Sequence, residues 1–224
     1  MNVGRTFKIR RLLKNLMGVE MTILKLITAG LAAVSTLGPA TAQSGFYLGS
    51  SVGASSATSE YAGGGKSADT FGTFGAVIGY RKEAGDLFWA AEIEAAGGIA
   101  SAMVGSVAGT ECSVFADAAY VCSVNNTVRL KGLVGKAMNN GYEMFGSLGV
   151  VQMNGTVAIG PTVQAPVTNT GYSVGLGVQR DIRGGKARIE LVRDVAPNTS
   201  TTFGGLSANY RATSIIFSFL FSPK

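Results

Sequence analysis

From residue 45 onward, apolar residues recur at every second position in short runs, with small or charged residues between them. That period of two is the signature of a strand with one buried or lipid-facing side. Eight runs show it, over 45–55, 70–81, 87–97, 126–137, 142–153, 171–180, 187–195 and 210–221. In the first, Phe46, Leu48 and Val52 share a face opposite small residues, and in the second Phe74, Ala76, Ile78 and Tyr80 do. The third sets Leu87, Trp89, Ala91, Ile93 and Ala95 against Phe88, Ala90, Glu92 and Glu94. The fourth sets Val128, Leu130, Gly132 and Val134 against Arg129 and Lys131. The fifth is rich in glycine and its facing is ambiguous. The sixth alternates from Tyr172 to Val178, and the seventh puts Ala187, Ile189 and Leu191 opposite Arg188 and Glu190. The last carries Ile215, Phe217, Phe219 and Phe221 on one side.

The connections alternate in length. Short turns are expected at 82–86, at Asn139-Asn140-Gly141 and at 181–186, each with glycine or asparagine suited to a tight reversal. Long connections are expected over 56–69, 98–125, 154–170 and 196–209. Runs of 9–11 residues with apolar side chains outward, short turns on one side and long loops on the other, are what a barrel crossing an outer membrane requires. The pattern predicts an all-β fold: an eight-stranded antiparallel up-and-down transmembrane β-barrel with four long extracellular loops and three short periplasmic turns. Tyr80, Trp89, Tyr142, Phe219 and Phe221 then fall near the periplasmic rim, as an aromatic girdle. A soluble barrel would need polar outward residues, and these are apolar.

Composition agrees with that wall. The chain of 224 residues is 46% hydrophobic and 14% charged with 32 glycines, yet no apolar run beyond residue 42 approaches the roughly 20 residues of a membrane-spanning helix. The formal charge of +6 belongs to the first 42 residues, which hold six of the 19 Lys and Arg and one of the 13 Asp and Glu. The remaining 13 basic and 12 acidic groups nearly cancel, so a nucleic-acid partner has no electrostatic basis. Lys25, the apolar stretch 26–37 and Ala40-Thr41-Ala42 form the three parts of an export signal, with cleavage expected after Ala42. Met21 is an attractive start, since 21–42 alone makes a signal of ordinary length, with 1–20 then an upstream extension or a mis-called start, and residues 43–224 are expected to form the barrel.

Cys112 and Cys122, in a single expected loop of a chain bound for an oxidising compartment, suggest a disulfide that staples the loop. The alternative is two unpaired thiols. Two cysteines without histidine do not complete a zinc site. No cofactor is expected. Gly63-Gly64-Gly65-Lys66-Ser67 does not make a phosphate-binding loop, because Glu60 stands where the first glycine belongs.

The Ala-Thr-Ala-Gln junction at 40–43, the opening Gly45-Phe46-Tyr47-Leu48-Gly49, the glycine-rich hairpins and the aromatic last run together resemble the small eight-stranded outer-membrane barrels, the OmpA-like and opacity-like group. The resemblance covers about 43–221, and the chain departs from it in the Ser222-Pro223-Lys224 that follows Phe221. It implies partners in outer-membrane lipid, lipopolysaccharide and the barrel-assembly machinery, and an interior ion-pair network. Glu92, Glu94, Arg129, Lys131, Arg188 and Glu190 are the inward charges that would form it. Hydrolytic barrels share the architecture, but the absence of histidine removes the usual proton shuttle, and no enzyme activity is expected. The expected role is structural, in envelope integrity and surface-loop display. A small porin-like channel is one alternative, and an adhesin binding a host or surface ligand through 98–125 is another.

Overall fold

The computed structural model describes residues 45–61, 65–99, 104–107, 110–112, 120–159, 163–200 and 207–222. The export signal and any extension within 1–42 lie outside them. The described elements are ten strands of one sheet: β1 (Gly45–Tyr61), β2 (Lys66–Ala84), β3 (Leu87–Ile99), β4 (Val104–Val107), β5 (Thr110–Cys112), β6 (Tyr120–Ala137), β7 (Tyr142–Ile159), β8 (Val163–Ile182), β9 (Gly185–Ser200) and β10 (Ser207–Phe221). Eight of them close into an up-and-down barrel, with β1 bonded to both β2 and β10. β4 and β5 form a small hairpin that fills the wall above the end of β3, with β4 on β2 and β5 parallel to β6.

Following the pairings once around the wall from Tyr47, through Gly79, Glu92, Lys131, Gly149, Ser173, Asp194 and Ala212, leads back to Ala57. This return at a different height on β1 is the stagger that tilts the strands and lets the sheet close. The outer surface is an apolar belt, in which Phe46, Leu48, Phe74, Ile93, Leu148, Leu176, Leu191 and Ile215 are all about half-exposed or more. A continuous belt of this kind is stable only against lipid or detergent.

Short turns join β2 to β3, β6 to β7 and β8 to β9, and define one end of the barrel, the turn end. Gly85, Gly141 and Gly184 carry φ of 64°, 79° and 90° there. At the β6–β7 turn the Met138 amide donates to the Tyr142 carbonyl at 2.7 Å, and the Tyr142 amide donates to Asn140 Oδ1 at 3.2 Å.

At the opposite end, the loop end, the strands run further than the hydrophobic pattern suggests. β1 continues to Tyr61 and β2 begins at Lys66, while β7 reaches Ile159 and β8 starts at Val163. Most of the expected connections at 56–69 and 154–170 is therefore strand. Their described outward positions stand above the belt and include Ser56, Thr58, Glu60, Lys66, Asn154, Thr156 and Thr168, so alternation of hydrophobicity fades although the backbone pairing does not.

Tyr47 is a large residue on the side of β1 expected to hold small ones, and it is buried in the lumen. Its ring lies across Gly79 of β2, and two more inward rings are seated in the same way, Phe88 over Gly135 and Phe145 over Gly177. A Cβ at any of these glycines would meet the ring. Gly135→Ala is expected to lower the unfolding free energy by about 1–3 kcal/mol through overpacking. Denaturant titration in detergent micelles checks this; an unchanged midpoint would mean that Phe88 can move aside.

Candidate functional site

Buried charged and apolar side chains occupy the interior among the described residues, and their order along the axis decides what the barrel can do. Inward alternation on β3, β6 and β9 brings Glu92, Glu94, Arg129, Lys131, Arg188, Glu190 and Asp194 together in the lumen, all buried. Lys131 Nζ lies 2.8 Å from carboxylate oxygens of both Glu94 and Glu190 and 3.8 Å from Glu92. Arg129 pairs with Glu94 at 3.1 Å and with Asp194 at 2.6 Å. Arg188 pairs with Glu92 at 2.5 Å, and the Tyr47 hydroxyl donates to the same carboxylate. Ser147 Oγ donates to Glu190 at 2.6 Å.

A second group stands nearer the turn end. Arg81 forks onto both oxygens of Glu143 at 2.8 and 2.9 Å, the bidentate arrangement that a planar guanidinium favours. Lys186 reaches Glu143 at 2.9 Å and Asp181 at 2.6 Å. Gln179 joins the two groups, accepting from Arg188 Nε at 2.9 Å and donating to Glu143 at 2.6 Å. Five buried carboxylates (Glu92, Glu94, Glu143, Glu190, Asp194) thus face five cations (Arg81, Arg129, Lys131, Lys186, Arg188), with Glu83 and Asp181 joining at the mouth.

Apolar side chains seal what the charges leave. Ala57, Phe71, Val124, Val151, Met153, Ala196, Tyr210 and Ala212 pack together on the loop-end side of Asp194. Tyr47, Val77, Phe88, Ala90, Leu133, Phe145 and Leu220 pack toward the turn end. The guanidinium carbons of Arg81 and Arg188 lie 3.7 and 4.9 Å from the ring centres of Phe88 and Phe145, binding charge to apolar packing. A cavity of about 190 Å³ opens at the turn end beside Arg81, Glu83, Glu143 and Asp181, outside this packed section.

The sequence reading placed six charges inward; Arg81, Glu143, Lys186, Asp194 and Tyr47 were not among them. Simple alternation carries Arg188 and Glu190 on to Asp194, so that signal was present. Glu143 was hidden by the ambiguous facing of β7.

On the outside, Tyr80, Trp89, Tyr142 and Phe221 are exposed, and Phe219 is half-buried with its ring centre 4.5 Å from that of Phe221. Tyr80 contacts Trp89 at 6.2 Å and Phe46 at 5.0 Å between ring centres, which adds Phe46 to the aromatic group near the turn end. Cys112 lies in β5 and Cys122 in β6, so strand backbone holds both where a loop was expected. Their side chains fall outside the described residues.

No family model matches the sequence, and no curated protein does. Solved structures do. Neisserial surface protein A superposes with a TM-score of 0.51 at 12% identity, over 80% of this chain and 97% of its own. The fold is that of the small eight-stranded outer-membrane barrels. Ail, the attachment invasion locus protein of Yersinia pestis, matches at TM-score 0.42 and 11% identity over 79% of this chain and 100% of its own. The N-terminal barrel domain of Pseudomonas aeruginosa OprF matches at 0.38 and 15%, over 76% and 97%. Identities this low convey architecture and no activity.

Breaking one interior pair strands its partner in a medium of low dielectric. Arg129→Met, which leaves Asp194 without its cation, is expected to cost about 3–5 kcal/mol of stability. Arg129→Met combined with Asp194→Asn is expected to recover part of that loss, and the double-mutant cycle by denaturant unfolding measures how much.

Proposed function

We propose that this protein is exported to a bacterial outer membrane and stands there as a closed barrel, with a role in envelope integrity and in presenting its loop end at the cell surface. The export signal of 1–42, cleaved after Ala42, and delivery by the barrel-assembly machinery belong to this reading, as do outer-membrane lipid and lipopolysaccharide as surroundings. The turn end then faces the periplasm. The observation that supports the structural role is the packed lumen: among the described residues, buried ion pairs and two apolar clusters occupy the barrel interior. For the same reason a structural role is favoured over a porin-like channel.

A second reading, adhesion through 98–125, draws support from one feature. The β4–β5 hairpin is stitched to β2 and β6, so part of this segment is held on the wall. We propose that Cys112 and Cys122 are joined as a disulfide, which would fix the segment further. Mass analysis of non-reduced peptides tests the bond, and binding by a chain lacking 100–119 tests the adhesion.

In a planar bilayer the refolded mature barrel is expected to pass no steady current. Folding is confirmed beforehand by heat-dependent gel mobility. A reproducible conductance altered by Glu92→Gln would overturn the closed-barrel reading and promote the channel.

A further inference from the structure

We propose that Arg193 and Arg211 form a site on the outer wall for the phosphate of a membrane-lipid headgroup, at the loop-end margin of the apolar belt. The proposal rests on the membrane placement given above and names one component of that surrounding.

The margin can be followed strand by strand. Above the last outward apolar residue stand neutral polar ones on most strands, such as Ser56, Thr70, Asn126, Gln152 and Thr170, all exposed. On β9 and β10 the pattern changes. On β9 Arg193 stands between the outward Leu191 and Val195, and on β10 Ile215 is preceded by Thr213 and then Arg211, which pairs with Val195. Both arginines are exposed. Arg193 pairs in register with Thr213 and Arg211 with Val195, so the two guanidinium stems are diagonal neighbours on one face. Diagonal neighbours on adjacent strands stand roughly 7–8 Å apart, close enough for two long side chains to converge on one anion.

Neither arginine has an ion-pair partner among the described residues, whereas every buried arginine of the lumen has at least one. The nearest acid by register is Glu60, whose own cross-strand partner on β2 is Lys66, so the local balance stays positive. Arg193 Nη1 donates to Thr213 Oγ1 at 2.5 Å, which holds that guanidinium to the wall. Leu191 and Ile215, 52% and 48% exposed, lie directly below and supply the surface for acyl chains. Two unneutralised guanidiniums immediately above an acyl-facing surface match a phosphorylated lipid, because the planar fork bonds phosphate oxygens in pairs.

The test uses the mature full barrel in neutral detergent, titrated with lipid A, with lipid A stripped of its phosphates, and with inorganic phosphate. Retained lipid is read by native mass spectrometry. We expect lipid A to bind, dephosphorylated lipid A to bind about tenfold more weakly, and Arg193→Gln with Arg211→Gln to lose a similar factor for lipid A alone. Arg183→Gln, at the turn end, should change nothing. Equal retention by the double variant, equal retention of the dephosphorylated lipid, or inorganic phosphate competing at the same affinity as the lipid would each overturn the site. Failure of the wild-type chain to show heat-dependent mobility would count against the membrane placement instead.

Discussion

The pairing of β1 with β10, from Leu48 against Phe221 to Tyr61 against Ala208, removes the last free edge of the sheet, and the other features follow from it. Backbone groups in lipid have no water to bond, so a wall of strands survives there only if it closes. Closing at eight strands fixes a narrow interior. Every inward side chain must then find its partner within that interior, and every outward one must suit the surrounding lipid. Glycine at 79, 135 and 177 is one consequence, since three large rings cross the lumen and need a neighbour without a side chain.

The charges inside answer the same constraint in another currency. A narrow lumen could be filled with apolar side chains alone, and two clusters of them stand in it, one toward the loop end and one toward the turn end. Between them lie salt bridges that join β3 to β6, β6 to β9 and β3 to β9, strands far apart in sequence. Buried pairs add little net stability over apolar packing, but they make a wrong arrangement expensive. A one-residue slip of β6 would turn Arg129 and Lys131 toward lipid and bring Leu130 inward. The network therefore acts as a register lock, because an alternating strand has only one other way to lie.

The belt was legible from sequence because two solvents of different polarity meet at the wall, and the period-two pattern records them. Wherever both faces meet similar polarity the record fails. Above the belt, Thr156 and Thr168 face outward from β7 and β8, and nothing in their polarity distinguishes strand from loop. On β7 the small residues Gly146, Ser147 and Gly149 blur the facing, and Glu143 was lost with it. Tyr47 was unread for a different reason: its burial depends on a glycine on the next strand, a relation that no single run of sequence displays. Pairings such as Arg81 with Glu143, 62 positions apart, need the closed ring before they can be seen.

Position parity along a strand decides what an arginine does in such a wall. On β9, Asp194 turns inward to Arg129, while Arg193 beside it turns outward. The inner guanidiniums are matched by carboxylates, as they must be, since an unpaired charge in the lumen would undo the fold. The outer pair has no such obligation toward the protein, and its partners among the described residues are hydroxyl and apolar groups. A neutral residue there, like Thr70 on β2 or Gln152 on β7, would satisfy the wall equally well. The two cations on β9 and β10 are thus accounted for by what lies outside the barrel rather than by the barrel itself.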